Sequence, residues 1–445
     1  MSRRLFGTDG IRGVAGEPPL DEATVSAFGS ALGKDLRECH PGGAQVLIGM
    51  DTRESGPWIA EAVAGGLHEQ GIEACFAGVI TTPGVAYLTR TAHFAAGVMI
   101  SASHNPYRDN GIKVFAETGF KLPDEEEIAI EEEIFRLVTR HPVPSRSLNH
   151  DALLAPRYAE FLLSTMPAPL HGLRLVIDCG NGAASSLAPE LFRRAGAKVS
   201  AIHAHPNGRN INLNSGALHV ESLAQAVLEE KADAGVAFDG DADRAIFVSS
   251  SGRIVNGDAV LLIMARAMNA SGRLPGKTVV ATVMSNLGLE RALAREGISM
   301  LRTPVGDKYV LEEMVRRGAG LGGEQSGHII FREYATTGDG MMTALHLLGV
   351  APSQAKTLDE LTADLEIFPQ KLVNVEVRIR KKLEDLAGVK AAIDACEREM
   401  NGSGRVLVRF SGTEPLARVM VEGRSAELVD RFSEQIADAI RQELG

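Results

Sequence analysis

Residues 46–80, VLIGMDTRESGPWIAEAVAGGLHEQGIEACFAGVI, hold one complete structural unit. Val46 to Asp51 is a short apolar run that ends in a loop. Trp58 to Gln70 has helical spacing, and Gly71-Ile72 opens a second apolar run to Ile80. The same order recurs twice. Leu173 to Asp178 leads through Gly180 and Gly182 into a helical Ala188 to Ala195, where Pro189 suits a first turn, then Gly196-Ala197 and a run to His203. Thr278 to Met284 leads into a helical Leu287 to Glu296, then Gly297-Ile298 and a run to Leu301. Short buried runs alternating with helices predict βαβ units with a parallel sheet, here three times over.

Each unit then reaches a further short strand: Ala96 to Ile100, Ala234 to Phe238 and Gly318 to Gly323. The loops that follow are Ser101-Ala102-Ser103-His104-Asn105-Pro106, Asp239-Gly240-Asp241-Ala242-Asp243-Arg244 and Glu324-Gln325-Ser326-Gly327-His328. Ligands of open α/β sheets sit beyond the carboxyl ends of the strands, so three equivalent loops can converge on one cleft. From about Phe368 the pattern changes. Lys371 to Arg380 alternates, Leu383 to Met400 is helical, Val406 to Phe410 and Ala417 to Val421 read as a hairpin, and Ala426 to Leu444 is helical. The expectation is three related α/β domains, 1–150, 151–255 and 256–368, with a smaller α+β domain at 369–445, around a central cleft.

The 445 residues suit several domains, and 44% hydrophobic with 23% charged residues excludes disorder. Lys and Arg number 46 against 57 Asp and Glu, a formal charge of −11, which argues against nucleic acid or an anionic membrane as partner. Cys39, Cys75, Cys179 and Cys396 form no C-x-x-C pair, so a reducing cytoplasm is expected and no thiolate metal site. No signal-peptide core follows Met1, and the most apolar windows fall short of the roughly 20 residues that span a bilayer.

Asp239, Asp241 and Asp243 place three carboxylates at alternate positions after a buried strand. Like charges so close repel unless a cation neutralises them, and hard oxygen ligands without His or Cys select magnesium or calcium. Magnesium suits a few carboxylates completed by water and phosphate, and the flanks of a calcium-binding EF-hand are missing. An aspartyl-nucleophile phosphatase also carries an Asp-x-Asp loop after a strand. Ser103, exposed by small neighbours, offers a different phosphoryl carrier, with His104 or Lys113 to move a proton or steady charge. Taken alone, that loop reads more readily as an Asn-Pro turn whose Ser and His bond to the backbone; its placement in common with the acidic loop reverses the preference. Arg409-Phe410-Ser411-Gly412-Thr413-Glu414-Pro415, closing with Arg418, has the hydroxyls, guanidiniums and turn N–H groups of an anion nest, or is a hairpin turn with incidental arginines. Glu324 and Ser326 match vicinal sugar hydroxyls. Gly318 to Gly323 fits G-x-G-x-x-G but follows a helix and enters a strand, and Gly272 to Thr278 is one residue short of a Walker A loop; neither supports a nucleotide.

Together these motifs resemble the α-D-phosphohexomutase family over the whole chain. Phe6-Gly7-Thr8-Asp9-Gly10-Ile11-Arg12-Gly13, Ile100 to Pro106 continuing through Asp109-Asn110-Gly111-Ile112-Lys113, and Gly323 to His328 narrow the likeness to members acting on glucosamine phosphates. The resemblance implies a phosphoserine at Ser103 and one Mg²⁺ per subunit held by Ser103, Asp239, Asp241 and Asp243. Arg12, His104, Lys113 and Arg244 would serve the transfer. Glu324, Ser326 and His328 would hold the sugar, and Arg409, Ser411, Gly412, Thr413 and Arg418 the phosphate that does not react. The implied reaction interconverts glucosamine 6-phosphate and glucosamine 1-phosphate through a 1,6-bisphosphate, toward UDP-N-acetylglucosamine and peptidoglycan. A hexose 1,6-bisphosphate would be an activator and a homodimer the assembly. A phosphomannomutase/phosphoglucomutase is the alternative; a phosphatase or a non-catalytic sugar-phosphate sensor is more distant.

Overall fold

The computed structural model describes residues 5–7, 9–140, 142–379, 381–382, 385–410 and 415–445. They form two compact units, one of residues 1–284 and 300–363, the other of 285–299 and 364–445.

The first unit contains three sheets. Strands β1 Phe6–Gly7, β2 Gly10–Val14, β3 Gln45–Met50, β4 Glu73–Val79, β5 Ala96–Ile100 and β6 Asp109–Ala116 lie in the order β1-β2-β6-β5-β3-β4. Strands β7 Arg174–Asp178, β8 Lys198–Ile202, β9 Ala234–Phe238, β10 Ala245–Ser249 and β11 Ile254–Val255 give β11-β10-β9-β7-β8. Strands β12 Thr278–Thr282, β13 Ser299–Thr303, β14 Leu321–Gly323 and β15 Ile329–Phe331 give β13-β12-β14-β15. Each sheet therefore repeats one four-strand pattern: β4-β3-β5-β6, β8-β7-β9-β10 and β13-β12-β14-β15.

The repeat read from the sequence forms the parallel part of this pattern, as in β3 with β4 and β5, β7 with β8 and β9, and β12 with β14. The fourth strand of each sheet runs antiparallel to the third and lay outside the predicted unit. Loop length explains the reversal. A parallel return needs a crossover of about a dozen residues or more, whereas the connections after β5, β9 and β14 are shorter. The helices sit close to their predicted places. Gly56–Glu69 has Pro at its first turn, Ala188–Arg194 likewise, and Leu287–Arg295 is capped by Asn286, whose side chain accepts from the Gly288 N–H. The predicted strand at Gly318 begins later, at Leu321, because Gly318 (φ 71°) is the left-handed cap of the helix Asp307–Arg317. The G-x-G-x-x-G match is thus a helix cap and a strand.

Val46, Ile48, Val98 and Ile100 are fully buried and anchor the core of the first sheet, whose helices Glu22–Cys39 and Gly56–Glu69 pack together. Among the described residues, no helix is long and apolar enough to cross a membrane.

In the second unit, β16 Gln370–Glu376, β17 Gly404–Phe410 and β18 Leu416–Gly423 form an antiparallel sheet in the order β16-β18-β17. Helices Ala387–Met400 and Ala426–Leu444 contribute Val389, Cys396, Phe432, Ile436 and Ile440 to its core. The first of these starts four residues after the predicted Leu383, which lies outside the described residues.

Candidate active site

The loops after β5, β9 and β14 meet within the first unit. Each is closed by a backbone turn, Asn105 N–H to Ala102 O at 3.1 Å, Ala242 N–H to Asp239 O at 3.0 Å and Gly327 N–H to Glu324 O at 3.0 Å. The second loop is tied to the third by the Ala245 N–H to Gly327 O bond (3.1 Å), to the start of the helix Thr82–Thr91 by the Thr82 N–H to Asp241 O bond (3.0 Å) and to the start of the helix Gly340–Ser353 by the Gly340 N–H to Ala242 O bond (3.0 Å). A sheet repeated three times thus brings three chemically different loops together.

Ser103 is 1% exposed, and its hydroxyl donates to Asp239 Oδ2 at 2.6 Å. His104 Nδ1 lies 3.4 Å from the same Oγ. Burial, with Arg244 and Arg12 nearby, pushes the pKa of His104 down to about 4, so the ring is neutral at neutral pH. Asp239, Asp241 and Asp243 are all buried and offer oxygen atoms within 4.8 Å of one another. Burial and the charges of Asp243 and Asp241 raise Asp239 well above the carboxylate range. Asp241 Oδ1 and Asp243 Oδ1 are buried and accept no hydrogen bond among the described groups. Hard carboxylate oxygens in close mutual approach, two without donors, fit a divalent cation such as magnesium.

Lys113, on β6, is 1% exposed and places Nζ 2.8 Å from Asp241 Oδ2, 3.0 Å from Asp9 Oδ2 and 3.6 Å from Asp243 Oδ2. Burial opposes its charge, but these carboxylates outweigh it and raise its pKa, which makes Lys113 a fixed cation. Arg244 donates its backbone N–H to Asp239 Oδ1 at 3.2 Å, and its Nε lies 3.8 Å from Asp243 Oδ1. Arg12, on β2, is paired with Asp9.

In the third loop Glu324 Oε1 accepts the Gly306 N–H at 3.2 Å, and the buried Ser326 hydroxyl has no hydrogen-bond partner among the described residues. His328 is 2% exposed; its Nε2 accepts the Gly338 N–H at 2.9 Å, so the proton of the neutral ring sits on Nδ1, 3.7 Å from Asp243 Oδ2. A Cβ on Gly338 would fall 2.5 Å from that ring, so only glycine lets the backbone approach it.

Arg409 and Arg418 belong to the second unit and face each other as register partners on β17 and β18. Burial and the charge of Arg418 lower the pKa of Arg409. Like charges directly opposite on two strands are unfavourable, and an anion would relieve them. Ser411, Gly412 and Thr413 lie outside the described residues.

Several groups at the site escaped the sequence reading. Thr82 donates its hydroxyl to Asp241 Oδ2. Lys121 Nζ bridges Asp9 Oδ1 and Asp307 Oδ2, each at 2.6 Å, joining the β1–β2 turn to the start of the helix Asp307–Arg317. Asp51, Arg53 and Asn212 bond to the Ser103 loop. Of these, Asp9 stood within a quoted motif, and Asp51 and Arg53 within the opening stretch, where they read only as the loop after its first apolar run; the others come from segments that resemble ordinary polar turns until the fold brings them together.

Four family models cover almost the whole chain: phosphoglucomutase/phosphomannomutase alpha/beta/alpha domain I at residues 3–141, domain II at 156–252, domain III at 256–368 and the C-terminal domain at 372–439. The phosphoglucosamine mutase of Solibacter usitatus (strain Ellin6076) is 64% identical over 446 residues, covering 100% of both chains. That of Koribacter versatilis (strain Ellin345) is 53% identical, covering 100% of this chain and 98% of its own. A phosphoglucomutase/phosphomannomutase family protein from Burkholderia thailandensis superposes with a TM-score of 0.80 at 24% identity, covering 98% of this chain and 97% of that one. With the three loops and their sheet repeat, these matches show that the chain belongs to the α-D-phosphohexomutases, the phosphoglucomutase/phosphomannomutase family.

Proposed function

We propose that this protein is an Mg²⁺-dependent enzyme that interconverts glucosamine 6-phosphate and glucosamine 1-phosphate, with Ser103 as the phosphoryl carrier. The observation that carries the reading is the meeting of Ser103 Oγ with the carboxylate triad, 2.6 Å from Asp239. The full-length likeness to phosphoglucosamine mutases supports the choice of sugar.

Asp239, Asp241, Asp243 and an oxygen on Ser103 would hold the metal, which supplies neutralising charge to the phosphoryl group in transfer. The phosphorylated Ser103 gives its phosphoryl group to the C1 hydroxyl of glucosamine 6-phosphate. The bond from phosphorus to Oγ breaks, a bond to O1 forms, and the proton lost by O1 balances the one Oγ gains. The bisphosphate turns end for end. The bond from phosphorus to O6 then breaks as Oγ takes the group back, and glucosamine 1-phosphate leaves. His104, neutral and 3.4 Å from Oγ, exchanges the proton there. Lys113, Arg244 and Arg12 offset the negative charge of the moving group, which is most of what phosphoryl transfer requires of a protein.

Glu324, Ser326 and His328 hold sugar hydroxyls in either orientation. Arg409 and Arg418, with Ser411, Gly412 and Thr413, hold the phosphate that does not react, and a hexose 1,6-bisphosphate primes an unphosphorylated Ser103. The reading carries a cytoplasmic setting and a homodimer, for which sedimentation velocity is the direct measurement.

The test is the rate of isomerisation of glucosamine 6-phosphate with magnesium, beside glucose and mannose phosphates on the same preparation. Preference for glucosamine is expected. Faster turnover of mannose or glucose phosphates would move the protein to the phosphomannomutase/phosphoglucomutase alternative.

A further inference from the structure

Ser103 has φ = 52°, in the left-handed region that residues with a Cβ rarely occupy. A serine kept there needs an environment that over-determines it. Its own N–H donates to Ser101 Oγ at 2.9 Å, and the Ser101 hydroxyl in turn donates to Asp51 Oδ2 at 2.6 Å. Asp51 is fully buried and paired with the equally buried Arg53. From the same guanidinium, Nη2 donates to the carbonyls of Ser103 at 3.2 Å and Asn105 at 2.6 Å.

A second donor reaches the same two carbonyls from a different sheet. Asn212, in the segment after β8, places Nδ2 2.9 Å from Ser103 O and 3.1 Å from Asn105 O. Its own backbone is anchored by an N–H to Gly180 O bond of 2.8 Å. Close approach of the metal loop depends on glycine: a Cβ on Gly240 would lie 2.4 Å from Ser103 O and 2.9 Å from Asn212 Nδ2. The two carbonyls flanking His104 thus each accept from a domain I arginine and a domain II asparagine.

We propose that Arg53 and Asn212 are positioning residues for phosphoryl transfer, clamping the Ser103 and Asn105 carbonyls so that the left-handed Ser103 aims Oγ at Asp239. The inference rests on the reading of Ser103 as the phosphoryl carrier. Neither side chain is assigned contact with substrate; both act through the backbone of the loop. The clamp spans two domains, so it ties the geometry of the nucleophile to the seating of the loop that carries the carboxylates. A displacement of about 1 Å at a reacting atom is enough to cost on the order of a hundredfold in rate.

Asn212→Gly tests the clamp by removing the donor, and Asn212→Asp by replacing it with an acceptor that the two carbonyls repel. Asn212 itself has φ = 57°, which both replacements accept, while each removes the donor. Turnover, kcat, is expected to fall by about 10–100-fold with KM within about twofold and an unchanged melting temperature. The rate at which phosphorylated Ser103 loses its phosphoryl group to added glucosamine 6-phosphate, followed by intact mass, should fall by the same factor. Arg53→Lys keeps a cation against Asp51 but loses the fork. Combined with Asn212→Asp, its effect should be less than multiplicative, because both donors serve the same acceptors. Wild-type kcat and phosphoryl loss in Asn212→Asp, with Ser103→Ala inactive, would overturn the clamp alone. Absence of phosphate from wild-type Ser103 after incubation with a hexose 1,6-bisphosphate and magnesium would overturn the carrier assignment and the clamp with it.

Discussion

The loops after β5 and β14 follow equivalent strands, and both contain a residue with positive φ, yet one uses Ser103 (φ 52°) and the other Gly327 (φ 93°). In the third loop a Cβ at Gly327 would lie 2.3 Å from Ala245 O, so glycine answers a steric demand at no conformational strain. The first loop meets the same backbone demand with a side chain that glycine cannot supply, a hydroxyl 2.6 Å from Asp239. The middle loop is a third solution: Ala242 (φ 54°) takes the left-handed turn while the carboxylates on either side keep the oxygens. Between the first and third loops, strain is retained where the chemistry needs a side chain and relieved where it does not; in the middle loop it falls on Ala242, whose methyl takes no part in the chemistry.

Ser103→Ala breaks the comparison at its strongest point, since it keeps the strain and removes the hydroxyl; turnover should fall by about a thousandfold or more, measured by the isomerisation assay. Gly327→Ala imposes on the third loop both the φ penalty and a backbone clash. It should destabilise by roughly 2–4 kcal/mol, read from the denaturant midpoint. Asp241→Asn should weaken magnesium binding about a hundredfold in calorimetric titration by removing ligand charge, whereas Glu324→Gln should leave that affinity intact and raise KM. Ala242→Gly should change stability by less than about 1 kcal/mol, because relief of the left-handed strain is offset by backbone entropy and a lost buried methyl.

Most of the fold was legible because the parallel units announce themselves locally: an apolar run, a helix, a Gly and a second run. The antiparallel fourth strand was not, since Asp109 to Lys113 entered only as the continuation of the Ser103 motif, and its strand character rests on the pairing of β6 with β5. At the site, Ser103, Asp239, Asp241 and Asp243 stood out because unusual chemistry is concentrated within a few residues. Arg53 in Asp-Thr-Arg and Asn212 in Ile-Asn-Leu carry no such density. Their function arises from contacts between segments 50 to 109 residues apart, which local spacing does not encode. Lys121 and Asp307 escaped for the same reason.

The most direct test of the account is a single turnover with protein phosphorylated on Ser103 with radiolabelled phosphate, mixed with unlabelled glucosamine 6-phosphate and magnesium. Label should leave the Ser103 peptide and enter the glucosamine phosphates. Label that stays on Ser103 while isomerisation proceeds, or a hydroxylamine-labile phosphate on Asp239, would contradict the central role given to Ser103.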